Sequence, residues 1–341
     1  MSKKTTIAID AMGGDFAPAE VVKGTILACQ QDKEIETVLV GPLPLLEKEL
    51  RGYNPNLPIR CLHTDEFLKE GEPPALTLRQ RRKASIAMAT GLVKDGEAGG
   101  VISAGPTGGA VASAVTLLGM ATGLERPTIG GPILGFAPET VIIDSGSNID
   151  CKPYHLLDFA LIGTVYAEKV LGVSNPTVAL LSVGAEEGKG NNLVKESFPL
   201  FKESGLNFIG NVEGNDIVSA KANVIICDGF VGNILLKFCE ALGVRIGQWL
   251  KEKLTDENKA SKLNEELVAL TNVTEVTGGG LLLGVNGVVM IMHGRSQAEH
   301  FARAILSTKK VINSGFISAL NAELEKRQEG RNDQGRNNNQ A

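Results

Sequence analysis

Short apolar, β-branched runs recur along the chain and most end on a small or acidic residue: Thr6–Asp10, Val38–Gly41, Gly100–Ser103, Thr140–Asp144, Thr177–Ser182, Asn223–Asp228 and Gly287–His293. Unbroken runs of this kind read as strands covered on both faces, as in a parallel sheet. Between them lie helix-length segments, among them Pro18–Gln31, Ser85–Lys94, Tyr154–Leu171, Gly232–Leu254 and Ser296–Asn313. In the first of these, Val22, Ile26 and Cys29 fall on one stripe, and Pro18 suits a first helical turn. Strand and helix in alternation predict an α/β protein, with three α/β/α layers around a largely parallel, doubly wound sheet. No Pro/Ser-rich linker interrupts residues 1–327, which are expected to form one α/β catalytic domain with two lobes around a crevice. Residues 328–341 hold almost nothing that could be buried and are expected to be a disordered polar tail.

Composition narrows the partners. The chain has 341 residues, of which 43% are apolar, enough for a sizeable core. A net charge of −5 disfavours nucleic acid, whose phosphates call for a basic excess. The segment Met1–Asp10 fits neither a signal peptide nor a spanning helix, so a cytoplasmic protein is expected. The five cysteines form no Cys-x-x-Cys pair, which argues against a zinc ribbon or a disulfide framework. Cys151 reads as a buried structural thiol in preference to a nucleophile.

Forty glycines against 4% aromatic residues point to ligand contacts made by backbone rather than by stacking. Glycine clusters follow the strands at Asp10–Asp15, Ser103–Gly109, Asp144–Asn148, Gly184–Asn191, Asp228–Asn233 and Leu283–Gly287. In open parallel sheets, ligands gather at the carboxyl ends of strands, where helix N-termini point amides outward. The Ser103–Gly109 loop before an Ala/Gly/Ser-rich helix suits a phosphate dianion, and a tight strand-to-helix turn explains it almost as well. Nucleotide fingerprints and a Gly-x-Ser-x-Gly elbow are absent. His293 ends an apolar run and fits a site or a structural role equally. The acids Asp10, Asp15, Asp144, Glu186, Glu187, Glu213 and Asp228 are read as turn and helix caps before a metal site, so no metal is expected. Arg79, Arg81, Arg82 and Lys83 form the one dense basic run, either a solvated helix face or a contact for an acidic protein.

Several motifs in order, Ile7–Pro18, Asn148–Pro153, Gly210–Gly214, Cys227–Asn233 and Leu283–Val289, resemble the bacterial acyl-ACP:phosphate acyltransferase family over roughly residues 5–314. The resemblance implies a fold like that of phosphotransacetylases and the isocitrate and isopropylmalate dehydrogenases, usually dimeric. It also implies a reaction without cofactor, in which acyl carrier protein (ACP) thioester and inorganic phosphate give acyl phosphate and free ACP. The acyl phosphate would supply a glycerol-3-phosphate acyltransferase in phospholipid synthesis, with peripheral membrane association. On this reading Ser103, Gly105, Thr107 and Gly108 cradle phosphate, and Lys189, Asn233 and His293 act on it or on the oxyanion. Asp10, Gly13, Gly14, Asp15, Asp144, Asn148, Glu186, Asn211, Asp228, Gly229, Gly232 and Asn286 complete the substrate site, and Arg79, Arg81, Arg82 and Lys83 dock ACP. The chain departs from the family pattern at Pro106, Ala185, Lys83 and Ser147. A phosphotransacetylase-like enzyme using acyl-CoA, a dehydrogenase on the same fold, and a non-catalytic acyl-ACP-binding relative stay open as alternatives.

Overall fold

Strand direction decides where the site can form. The computed structural model describes residues 4–338 except 255, and no side chain of residues 257, 274, 275 or 330–338. Eleven strands form one sheet: β1 (Thr5–Asp10), β2 (Ile35–Gly41), β3 (Ile59–His63), β4 (Gly100–Ser103), β5 (Thr128–Pro132), β6 (Val141–Ile143), β7 (Val178–Leu181), β8 (Phe208–Val212), β9 (Val224–Ile226), β10 (Gly280–Leu283) and β11 (Val288–Ile291). Their order across the sheet is β3-β2-β1-β4-β11-β10-β5-β6-β9-β7-β8.

The first five in that order are mutually parallel, and so are the last four. Between them β10 runs against both β11 and β5, and β5 runs against β6. The expected largely parallel sheet is therefore present as two parallel blocks of opposite direction. Their carboxyl ends lie on opposite edges, so the glycine loops after β1 and β4 do not share an edge with those after β6, β7 and β9.

The helices are α1 (Ala19–Gln31), α2 (Leu43–Leu50), α3 (Pro74–Gln80), α4 (Ser85–Lys94), α5 (Thr107–Leu117), α6 (Pro153–Tyr166, continued by a π-helical turn over Ala167–Leu171), α7 (Asn192–Lys202), α8 (Gly214–Val218), α9 (Gly229–Lys253), α10 (Glu257–Thr271), α11 (Val273–Thr277), α12 (Ala298–Asn313) and α13 (Phe316–Asn338). Alternation along the strands separates the layers. Ile7, Ile9, Ile102, Ile143, Val224 and Ile226 pack with α1, α6 and α12 on one face. On the other face Ala8, Val38 and Val101 meet α4 and α5, while Ile142, Ala179 and Ile225 meet α8 and α9.

Leu283–Gly287 is the turn of the antiparallel β10–β11 pair, not a loop into a helix. Helix α13 runs through Asn338, so residues 328–338 are helical and only 339–341 of the expected tail lie outside the described residues. Extending a helix already fixed by buried Phe316, Leu320 and Leu324 costs far less than starting one, which carries it into a stretch rich in Gly and Asn.

Candidate active site

At the carboxyl edge of the first block, two glycine loops are locked together through Asp10. Its buried carboxylate accepts hydrogen bonds from Ser85 Oγ at 2.6 Å, Ser103 Oγ at 2.7 Å and the Met12 amide at 3.3 Å. Burial pushes this carboxyl above its ordinary range, and the three donors pull it part of the way back. A Cβ at Gly13 would come within 2.6 Å of the Gly105 nitrogen, so the close approach of the two loops requires glycine there. Gly105 in turn donates its amide to Ser103 Oγ at 3.0 Å. Pro106 then precedes α5 without capping it through a side chain. Pro106 has no amide to give, but those of Thr107 and Gly108 lie in the first turn, where a helix leaves its N–H groups without internal partners.

The loops of the second block form a platform for α9. Asp144, fully buried, accepts the amides of Gly146, Ser147 and Asn148 at 2.8–2.9 Å and Asn148 Nδ2 at 2.6 Å. Asp228 caps α9 by accepting the Val231 amide at 2.9 Å, and the Gly229 amide donates to the Asn148 carbonyl at 2.7 Å. A Cβ at Gly232 would strike the Asp144 carbonyl oxygen. From this edge α9 climbs across the sheet face. Lys237 is eight residues beyond Gly229, a rise of about 12 Å, enough to cross a sheet only a few residues tall.

Two cavities meet at the top of that climb. A polar one of about 600 Å³ is lined by, among others, Asp15, Gly105, Thr107, Lys237, His293 and Arg295. An apolar one of about 540 Å³ is lined by Ile129, Ile133, Leu236, Met290, Val170 and further residues including Gly146 and Asn233. Thr107, Lys237, Met292 and His293 border both. Lys237 Nζ lies 2.8 Å from Glu240 Oε2, and His293 Nε2 lies 3.5 Å from Glu240 Oε1. The second is a close approach rather than a formed hydrogen bond, because Oε1 has no hydrogen-bond partner. Burial alone would push the Glu240 carboxyl up, but His293 and Lys237 together outweigh it and hold the group at about 2.

Of the residues read from sequence, Thr107, Asn233 and His293 border the apolar cavity, and Gly14, Asp15, Gly105, Thr107 and His293 the polar one. Asp10, Gly13, Ser103 and Gly108 build the wall behind the polar cavity, while Asp144, Asn148, Asp228, Gly229 and Gly232 support α9. Lys189, Glu186 and Asn211 line neither cavity. Asn211 Nδ2 donates to the Glu186 carbonyl at 2.9 Å, and Lys189 follows β7, which lies five strands from β11 and points to the opposite edge. Asn286 sits in the β10–β11 turn, at the other end of β11 from His293, and donates to the Met120 carbonyl at 2.9 Å. Arg81 is tied in bidentate fashion to Glu72 at 2.8 and 3.0 Å, leaving Arg79, Arg82 and Lys83 exposed. The Cys151 thiol is pushed up to about 11, chiefly by burial, which leaves little thiolate. Sequence reasoning missed Lys237 and Glu240. The available signal was their spacing of four and seven residues beyond Asn233 on one helix. Among the described residues no group of three or more His, Cys, Asp or Glu could hold a metal ion, and no helix is long and apolar enough to cross a membrane.

The architecture is that of phosphotransacetylases. EutD phosphotransacetylase from Staphylococcus aureus matches with a TM-score of 0.58 at 16% identity, covering 91% of this chain and 94% of its own. A phosphotransacetylase from Streptococcus pyogenes matches with a TM-score of 0.61 at 17% identity, covering 91% and 95%. At such identities the likeness shows the fold alone. Sequence relatives go further. A family model described as fatty acid synthesis protein matches residues 5–319. The phosphate acyltransferase of Moorella thermoacetica is 42% identical over 320 residues, 92% of this chain and 94% of the relative. That of Aquifex aeolicus is 42% identical over 325 residues, 92% and 95%. The chain belongs to this phosphate acyltransferase family of fatty acid synthesis proteins and is an acyltransferase, as the resemblance in its glycine motifs implied.

Proposed function

We propose that the enzyme transfers a fatty acyl group from the thioester of acyl carrier protein to inorganic phosphate. The observation that supports this reading is the meeting of a polar and an apolar cavity at Thr107, Lys237 and His293. One cavity suits an anion and the other an acyl chain, so the bond to be made falls where they join. Phosphate sits against the Thr107 hydroxyl, the Thr107 and Gly108 amides and the Lys237 ammonium. One of its oxygens attacks the thioester carbonyl carbon. The tetrahedral oxyanion, held by donors from Asn233 and His293, collapses as the C–S bond breaks, and the thiolate leaves with the electron pair and takes up a proton. A leaving thiol of pKa about 8.5 and a phosphate already ionised need no strong general base. Positioning and fixed charge therefore carry the catalysis.

The finer expectations join this proposal. Arg79, Arg82 and Lys83, exposed together, dock the acidic carrier. The apolar stripe of α9 pairs with a second copy of the chain. The product, a mixed anhydride, passes its acyl group to glycerol-3-phosphate through a separate acyltransferase, with the enzyme working in the cytoplasm and peripherally at the membrane.

The test is phosphate-dependent release of carrier thiol from palmitoyl-ACP, with acyl phosphate trapped by hydroxylamine. Lys237→Met is expected to raise the KM for phosphate about tenfold or more, a change of about 1.4 kcal/mol, and to leave that for the thioester within about twofold. Lys189→Ala is expected to change neither. Turnover of CoA thioesters alone would favour a phosphotransacetylase-like enzyme, and binding of acyl-ACP without turnover a non-catalytic relative.

A further inference from the structure

We propose that Glu240 is a positioning residue of the transfer: its single buried carboxylate holds Lys237 and His293, which come from opposite blocks of the sheet, on the spot where the two cavities join. This rests on the reading of Lys237 and His293 as the groups that meet phosphate and oxyanion. Glu240 is 8% exposed in the middle of α9, a costly place for a charge unless it is paired. Its two oxygens are divided between the two partners, Oε2 to Lys237 at 2.8 Å and Oε1 toward His293 at 3.5 Å. Both partners remain partly exposed, their side chains 51% and 41%, and both border the two cavities. Asp15, Lys69, Glu70 and Arg295 are the other charged groups around the polar cavity.

The physical content lies in the order of the lysine. A free lysine side chain is long and flexible, and an anion that must first immobilise it binds less tightly. Glu240 fixes Lys237 before the anion arrives. The ionised Glu240 and Lys237 together are neutral, so the ammonium meets a phosphate through its remaining N–H donors, beside the Thr107 and Gly108 amides. A competing effect has the opposite sign: a carboxylate beside the cations repels phosphate, and on Coulomb attraction alone its removal would tighten binding. The two readings therefore predict opposite outcomes for the same substitution.

The deciding experiment titrates inorganic phosphate into the full chain by calorimetry and measures kcat and both KM values for wild type, Glu240→Gln, Lys237→Met and the double variant. Positioning predicts that Glu240→Gln weakens phosphate binding about tenfold, lowers kcat and leaves the thioester KM within about twofold. It also predicts that the double variant binds phosphate no more weakly than Lys237→Met alone, because the two residues act as a unit. Equal or tighter phosphate binding by Glu240→Gln, or losses that simply add, would overturn the proposal. Should Glu240→Gln fail to fold, Glu240→Asp keeps the charge but is one methylene shorter, and unchanged phosphate binding there overturns it equally. Wild type that binds phosphate yet forms no acyl phosphate sinks the transfer reading and leaves the anion site standing. Wild type that binds no phosphate sinks both.

Discussion

Among single residues, Glu240 also leaves a mark on stability. Its carboxyl is held at about 2 in the folded chain against an ordinary 4.5, so the stabilisation is fully present above pH 4.5 and is lost as pH falls toward 2. Half-exposed partners discount the effect, which amounts to at most about 3 kcal/mol. The expected outcome is that urea midpoints of wild type and Glu240→Gln differ most at pH 5, draw together as pH falls below 4.5 and converge only at about pH 2 and below. Other paired carboxylates titrate in the same window, and the difference between the two proteins removes them. Two of the residues bordering both cavities carried a sequence signal: His293 closes an apolar run before Gly294, and Thr107 sits in the glycine loop that follows β4. Lys237 and Glu240 were not legible, because a charge within a helix announces its spacing but not the face it occupies. Lys189 lies away from both cavities although its glycine loop looks like the others, because nothing in a linear pattern tells which sheet edge a loop reaches.

As an element, α9 is built from two kinds of small and large positions. Gly229 and Gly232 let its start press on the Asp144–Asn148 loop, and Gly243 and Gly247 let its far half press on Thr271 and Asn264 of α10. Gly232→Ala places a methyl group against the Asp144 carbonyl, a backbone atom with nowhere to go. A loss of about 3 kcal/mol or more is expected, read by urea unfolding, together with lost activity as Lys237 shifts. On the outward side Phe230, Ile234, Phe238, Leu242 and Trp249 stand exposed at helical spacing, Phe238 by 62%. Such a stripe is larger than a monomer leaves to water. Phe238→Glu is expected to convert a dimer to a monomer in sedimentation velocity, and wild type that sediments as a monomer would refute the pairing.

For the whole molecule, charge and strand order matter most. A chain of net charge −5 can dock an acidic carrier only through a local patch. Replacing Arg79, Arg82 and Lys83 together by Gln is expected to weaken palmitoyl-ACP affinity and flatten its salt dependence, measured as KM against ionic strength. The alternation of strands and helices was legible because each buried strand is an unbroken apolar run. Strand β5, Thr-Ile-Gly-Gly-Pro, reads as a turn, and β3 alternates with charge, so neither stood out. The reversal between blocks was invisible, since direction is a property of pairing and not of composition. The strands that join the two blocks also come late in the chain. Strand β4 meets its inner neighbour only in β11, and β5 meets one of its two only in β10, yet both latecomers belong to residues 280–291. While the ribosome is still extending the chain, two half-sheets wait with open apolar edges and no ladder between them. Open strand edges of this kind are where unfinished sheets pair with one another, so the stretch of synthesis before β10 and β11 emerge is the one most exposed to aggregation.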